Sequence, residues 1–290
     1  MSTISTTIDI RKKYQYFCEK HQVPFENIET VNSYDDTTLF CPAGMQKYKL
    51  QFKDLSLKKT VANIQSCLRL NDYDLTGDGT HMICFDMMGF FSFREWSLKQ
   101  TIDFWVKFIQ TELNLPIDYV TIHPDKYDEW KKLYSEYSFD IRKDDECQWS
   151  DGSPNTQPSY CTEFYHKDIE IGNIVNPMNG TCIDVGFGFD RLDFLVNQTP
   201  TKSKLELYKI GMTKIINSGF KISHNKEGYI WKKLIRDYVH GGGTIEDTTS
   251  VLYDIYNNEV KRQSRLIKTY HRFKKNMETK MLNGGHRHMV

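Results

Sequence analysis

Residues 184 to 192 read DVGFGFDRL. On an extended strand alternate side chains face the same way, so Asp184, Gly186, Gly188 and Asp190 share one face and Val185, Phe187, Phe189 and Arg191 the other. A strand with two bare backbone positions on one face leaves room for a ligand to lie against it. Asp184 supplies a negative charge at one end, suited to an ammonium group. If the chain turns into a helix after Phe189, Arg191 supplies a fixed positive charge at the other end, able to cover a flat ring or a phosphate. The alternative is a strand-to-helix turn in which the glycines only relieve crowding.

A second arginine stands in SCLRLND, where Arg69 ends a β-prone run, and Asp86 follows in CFDMMGFFSF after the polar loop NDYDLTGDGT. On paired antiparallel strands these residues would grip a nucleotide, the guanidinium on an α-phosphate and Asp86 with Phe85 near the base. The competing reading is a structural Arg-Asp pair across the two strands.

Around these stretches the periodicities predict a mixed chain. Asp9 opens a helix with Ile10, Tyr14, Phe17, Cys18 and His21 on one stripe, expected to pack on a sheet. TTLFCPAGM reads as a short β-prone run, MICFDMMGFFSF as a buried strand, and Leu98, Ile102, Trp105, Ile109 and Leu113 as a second helical stripe. DYVTIHP, IEIGNIV and GTCIDVGFGF read as strands, Asp125 as the cap of a helix KYDEWKKLYSEY, and 145–160 as a loop rich in Asp, Ser, Pro and Asn. After the linker NQTPTKSK every pattern is helical, ending in a long basic segment from about Ile245 to Met277. The expectation is an α+β domain over 1–197 and a small all-helical domain over 198–290.

The 290 residues are 39% hydrophobic and 26% charged, which excludes global disorder. No apolar run is long enough to span a membrane and no apolar segment follows the start of the chain, so the expectation is a cytoplasmic protein without membrane contact. Seven scattered cysteines without a CxxC pair argue against a disulfide framework and a structural zinc site, and read as reduced, half-buried fillers. The net charge is zero but unevenly spread. Residues 261–275 hold seven Lys or Arg and no acid, a surface for RNA phosphates or a solvated helix face with Leu266, Ile267, Tyr270 and Phe273 inward.

Taken in order, DIRKKYQYFCEKH, TTLFCPAGMQKYK, QSCLRLND, FDMMGFFSF, YCTEF, IEIGNIV and DVGFGFDRL resemble the catalytic core of the alanyl-tRNA synthetases, a class II family. Its corresponding stretches include LLFTNAGMNQFK, FFEMLGNFSF, EIWNLVF and DTGMGLERI. The resemblance continues in SHNKEGYIWKKLIRDYVHGG, similar to the start of the family's helical tRNA-recognition region. It implies a class II antiparallel sheet flanked by helices, with ATP and Mg²⁺ as cofactors and a small amino acid as substrate. Carried over, it puts Arg69 on the ATP α-phosphate and Arg191 against adenine opposite Phe85, with Asp86 and Gly188 completing the nucleotide site. Asp184 takes the amino group of the amino acid and Gly186 floors its pocket. Val175 and Trp149 are walls, Asn173 lies near the amino acid, and Glu170 is the carboxylate for Mg²⁺. The implied chemistry is in-line attack of a carboxylate on the α-phosphorus, with pyrophosphate leaving. Its catalysis is positioning and charge neutralisation rather than general base action.

The chain departs from the family in three ways. The loop between Arg69 and Asp86 is shorter, with His81 alone left of a histidine pair. Gly172 stands where the family has tryptophan, so the pocket is expected to admit something larger than alanine. The sequence stops at Val290 with no HxxxH of an editing site, reading as a stand-alone, truncated core without editing and C-terminal domains. Three functions remain open: activation of a small amino acid with transfer to a non-tRNA acceptor such as a small molecule, peptide or carrier protein; a truncated alanyl-tRNA synthetase that charges tRNA; and a non-catalytic paralogue that binds ATP, amino acid or RNA.

Overall fold

In a computed structural model the residues described are 7–79, 81–149, 159–221 and 223–243, with 272 and 275. The chain divides into two compact units, Met1–Lys202 and Ser203–Val290. Nine strands form the sheet of the first unit: β1 (Phe25–Ile28), β2 (Lys59–Leu68), β3 (Cys84–Phe93), β4 (Tyr119–Ile122), β5 (Asp140–Lys143), β6 (Gln148–Trp149), β7 (Ser159–His166), β8 (Ile169–Val175) and β9 (Cys182–Gly188). Their order is β1-β2-β3-β9-β8-β7-β4-β5, with β6 paired to β7 off this path. The pairs β1·β2 and β4·β5 are parallel and the rest antiparallel. With helices packed against it, this sheet makes the unit α+β.

The helix Ile10–Lys20 starts where Asp9 accepts a hydrogen bond from the Lys12 amide at 3.1 Å, which satisfies one of the first-turn donors. Its buried stripe is Ile10, Tyr14, Phe17 and Cys18, and the Tyr14 hydroxyl donates to the Gly89 carbonyl of β3 at 2.9 Å. The helix Leu98–Lys107 begins at a capping box of Ser97 and Gln100 and buries Ile102, Phe104 and Trp105. Trp105 stacks on Phe187 of β9 at 4.2 Å between ring centroids, so this helix covers the core face of the central strands.

Three local expectations are corrected. TTLFCPAGM forms only an isolated bridge, Asn32 to Phe40, because Pro42 has no amide to continue a ladder. Asp125 is not the cap of the next helix: His123 accepts from the Asp125 amide at 3.2 Å, and the Asp125 carboxylate accepts from Tyr160 at 3.0 Å. The seven cysteines are free but fully buried rather than half-buried.

In the second unit the helices Lys204–Asn217 and Lys226–His240 pack together. The first is capped by Ser203 with Glu206 and buries Leu207, Met212 and Ile215; the second buries Trp231 and Leu234. The long basic segment, including 261–275, lies outside the described residues apart from 272 and 275. Among the described residues no helix is long and apolar enough to cross a membrane.

Candidate functional site

The centre of the sheet carries a cleft of about 440 Å³. β9 supplies its floor: Asp184, Gly186 and Gly188 line it, while Val185 and Phe187 point the other way and are 0% exposed in the core. Gly186 faces Met87, whose sulfur would stand 3.2 Å from an added Cβ, so a side chain here would crowd the floor. Asp184 is 9% exposed, and among the described residues none donates to its carboxylate. Burial alone pushes its pKa up to about 7. A buried carboxylate without a partner is costly, and a cation in the cleft would relieve that cost.

Arg69 follows directly on β2. Its Nε donates to the Pro42 carbonyl at 2.9 Å, and its guanidinium lies 4.9 Å from the centroid of the Phe85 ring. The two strands do not pair Arg69 with Asp86. Ser66 stands opposite Asp86 in the register, and the Arg69 amide donates to Ile83. Alternation on β3 turns Phe85 and Met87 into the cleft and Asp86 away from it. Asp86 accepts instead from Ser66 at 2.7 Å and from Arg11 at 2.5 Å. The structure therefore does not bring Asp86 to the expected nucleotide site.

Walls come from β6, β8 and the helix that follows β9. Trp149 on β6 and Asn173 and Val175 on β8 line the cleft. Glu170 lines it too, although an odd spacing from Asn173 would send it to the opposite face of a regular strand. The register against β7 shifts between Phe164 and Tyr165, leaving Ile171 as the extra residue of a bulge, and the shift re-aims Glu170. Arg191, in the first turn of the helix Phe189–Asn197, reaches back to Glu170. One of its nitrogens donates to both the carbonyl and the carboxylate of Glu170, each at 2.8 Å. Arg191 is thus held by Glu170, and the face of Phe85 is covered by Arg69.

Gly172 also lines the cleft, but its missing side chain would not point into it. A Cβ here would stand 2.4 Å from the Phe187 ring, on the core side of the sheet. Phe187 pairs with Gly172 and occupies the space a larger side chain would need, so the exchange of tryptophan for glycine is matched by phenylalanine within GFG. The space that a side chain at this position would enter is therefore taken by Phe187.

Glu163 on β7 also lines the cleft and had no role from sequence, although YCTEF contains it. Burial raises its pKa, opposed by a hydrogen bond from Tyr165 at 2.7 Å. Its alternation with Cys161 along the strand was the available signal. The site as a whole sets an unpartnered carboxylate on a glycine floor and two guanidinium groups within one cleft.

Residues 9–199 match the family of class II (A) tRNA synthetases. The alanine–tRNA ligase of Francisella tularensis subsp. tularensis (strain WY96-3418) is 27% identical over 270 residues, covering 77% of this chain and 30% of its own length. That of Staphylococcus aureus (strain JH9) is 26% identical over 275 residues, covering 80% and 31%. The chain thus spans about 30% of the length of these curated relatives. Among solved structures, apo histidyl-tRNA synthetase of S. aureus gives a TM-score of 0.43 at 10% identity, over 70% of this chain and 73% of that one. The pyrrolysyl tRNA synthetase PylSc of Desulfitobacterium hafniense gives 0.42 at 10% identity, over 66% and 69%. At that level the structural likeness adds no argument to the strand order.

Proposed function

The chain belongs to the class II (A) tRNA synthetases, and we propose that it activates a small amino acid, alanine or one of similar size, with ATP to give an aminoacyl adenylate. The observation that carries this reading is Asp184: a buried carboxylate without a partner, at the floor of the cleft, beside a glycine that keeps the floor flat. An α-ammonium group supplies the missing charge. Val175, Trp149 and Asn173 would enclose a short side chain.

At the other end of the cleft Arg69 would take the α-phosphate, and Phe85 would stack on adenine once Arg69 leaves its face. Arg191 would cover the opposite side of the adenine, exchanging Glu170 for the ring, with Gly188 beside it. A carboxylate oxygen of the amino acid then attacks the α-phosphorus in line as the bond to pyrophosphate breaks, and the guanidinium groups neutralise the charge that develops. Glu170, the cleft carboxylate on the bulged strand, fits Mg²⁺ bound through one carboxylate and substrate phosphates, where the ion would draw charge from the leaving group. Residues 1–197 would be the catalytic domain and 198–290 a helical domain like the start of the tRNA-recognition region.

For the acceptor we favour a molecule other than tRNA, a small molecule, peptide or carrier protein, because the loop between Arg69 and Asp86 is short. The second reading, tRNA charging, is favoured by the likeness to alanine–tRNA ligases over 77% of the chain, which extends past 9–199. The test is ATP–pyrophosphate exchange with each standard amino acid, repeated with bulk tRNA to look for stable charging. Exchange with a small amino acid is expected, and charged tRNA in the same tube would decide for the second reading. Asp184→Ala should remove the dependence on amino acid and Arg69→Ala the exchange itself. Exchange unchanged in both variants sinks the site. No exchange with any amino acid would leave a binding-only paralogue, to be followed by calorimetry with ATP.

A further inference from the structure

Strand pairing brings together cysteines whose spacing in the sequence conceals them. Gln148 of β6 stands opposite Tyr160 of β7, which puts Cys147 opposite Cys161, and the Cys161 amide donates to the Cys147 carbonyl at 3.0 Å. Both side chains are buried in a small cluster with Val175 and Trp149, directly behind two walls of the cleft. Glu163 lies two residues along β7 from Cys161, on the same face. The two sulfurs and a Glu163 carboxylate oxygen all lie within 4.8 Å of one another.

A tetrahedral zinc ion with bonds of about 2.3 Å to sulfur and about 2.1 Å to oxygen keeps such ligands about 3.6–3.8 Å apart, so the trio needs to close by only about 1 Å. Among the described residues Glu163 makes no ion pair and its one hydrogen bond is from Tyr165, the charge of Arg191 acting on it only at longer range. The two thiols are hydrogen-bonded to each other, with the Glu163 carboxylate beside them. Thr121 is in hydrogen-bond contact with the Cys147 sulfur at 2.9 Å, and Tyr165 holds one oxygen of Glu163, so both ends have groups that fix their orientation.

We propose that Cys147, Cys161 and Glu163 form a site for a thiophilic divalent cation such as zinc, with its fourth position open toward the cleft that Glu163 lines. Three protein ligands and one open position are the arrangement of zinc sites that meet substrate rather than of closed structural ones. Binding would displace the two thiol protons and leave thiolates on the metal. The amino-acid activation proposed above is not required for the site to exist.

The test uses the full chain, reduced and stripped with a chelator, then titrated with zinc alone and with cobalt(II) alone. One equivalent should bind, with proton release, and cobalt should give a thiolate-to-metal charge-transfer band in the near ultraviolet. Cys147→Ser and Cys161→Ser should each abolish the band, while Cys182→Ala should keep it. Tyr165→Phe, which leaves all three ligands in place, should weaken metal affinity by about tenfold or more, and it serves if a cysteine variant fails to fold. The proposal is overturned if the reduced wild type takes up no metal, including a case where air oxidation joins Cys147 to Cys161 and reduction restores nothing that binds zinc. It is also overturned if the band survives in the Cys147→Ser, Cys161→Ser double variant or if Tyr165→Phe binds as tightly as the wild type.

Discussion

Asp86 on β3 and Asp184 on β9 are carboxylates on adjacent strands at the centre of one sheet, yet their surroundings are opposite. Asp86 accepts from Arg11 and Ser66 on the core side. Asp184 accepts from no described residue on the cleft side, and burial raises its pKa. The neighbours repeat the contrast. On the core side Phe187 stacks on Trp105 and fills the space beside Gly172, whereas on the cleft side Gly186 presents bare backbone. One face of the same strands is finished for stability and the other is left for a ligand to finish.

If that division is right, substitutions on the two faces of β9 should shift stability with opposite sign. Phe187→Ala empties a fully buried aromatic site and should cost about 3–5 kcal/mol in urea unfolding. Asp184→Asn should instead stabilise the protein without ligands. The folded pKa of Asp184 is raised from 3.8 to about 7, so its neutral form stabilises the fold below about pH 4. That contribution is lost as pH rises toward 7, to a total of up to about 4 kcal/mol. Wild-type stability should fall across this window and then level, and the Asn variant should lack the slope. The same ionisation sharpens the ligand side: an ammonium needs the charged carboxylate, so the KM for the amino acid should rise roughly tenfold per unit below pH 7. A stability profile identical in wild type and variant would break the comparison at its main point.

The next largest effect tests the exchange at Gly172. Gly172→Trp overpacks against Phe187 and should cost about 1–3 kcal/mol, and Phe187→Met in the same chain should recover most of it. Non-additivity in that double-mutant cycle would locate the new side chain on the core face. An additive result with a narrowed range of amino acids in exchange would instead put the new side chain into the cleft that Gly172 lines.

The floor was legible because DVGFGFDRL carries a period of two that needs no partner strand to interpret. The helix Ile10–Lys20 and its packing on β3 were legible for the same reason, with a local stripe and a local cap. What depends on register was not. Arg69 and Asp86 were expected to grip one nucleotide from paired strands, with a structural pair as the alternative, but a pairing that sets Leu68 against Cys84 leaves them on opposite faces. The bulge at Ile171, which turns Glu170 into the cleft, leaves no mark in IEIGNIV. Cys147 and Cys161 meet only because β6 folds back on β7, so sequence spacing, which argued against a structural zinc site, could not show that the two are neighbours. At TTLFCPAGM the β-propensity was real but Pro42 prevented a ladder, and at Asp125 a neighbouring histidine took the cap.

The smallest effect bears on Asp86 itself. Its side chain is 16% exposed and that of Arg11 32%, so their ion pair is partly open to water and worth less than a buried one. Asp86→Asn keeps an acceptor for Ser66 but removes the charge facing Arg11, for an expected loss of about 1–2 kcal/mol. Arg11 retains Asn27 at 2.7 Å and the face of Phe189, which limits the damage. The KM for ATP in the exchange reaction should stay unchanged, because the carboxylate faces away from the cleft, while Phe85→Ala should raise it. A KM that rises with Asp86→Asn, at a stability cost near zero, would mean that the strand turns this carboxylate toward the nucleotide after all. The two aspartates would then belong to one face and the contrast between them would be lost.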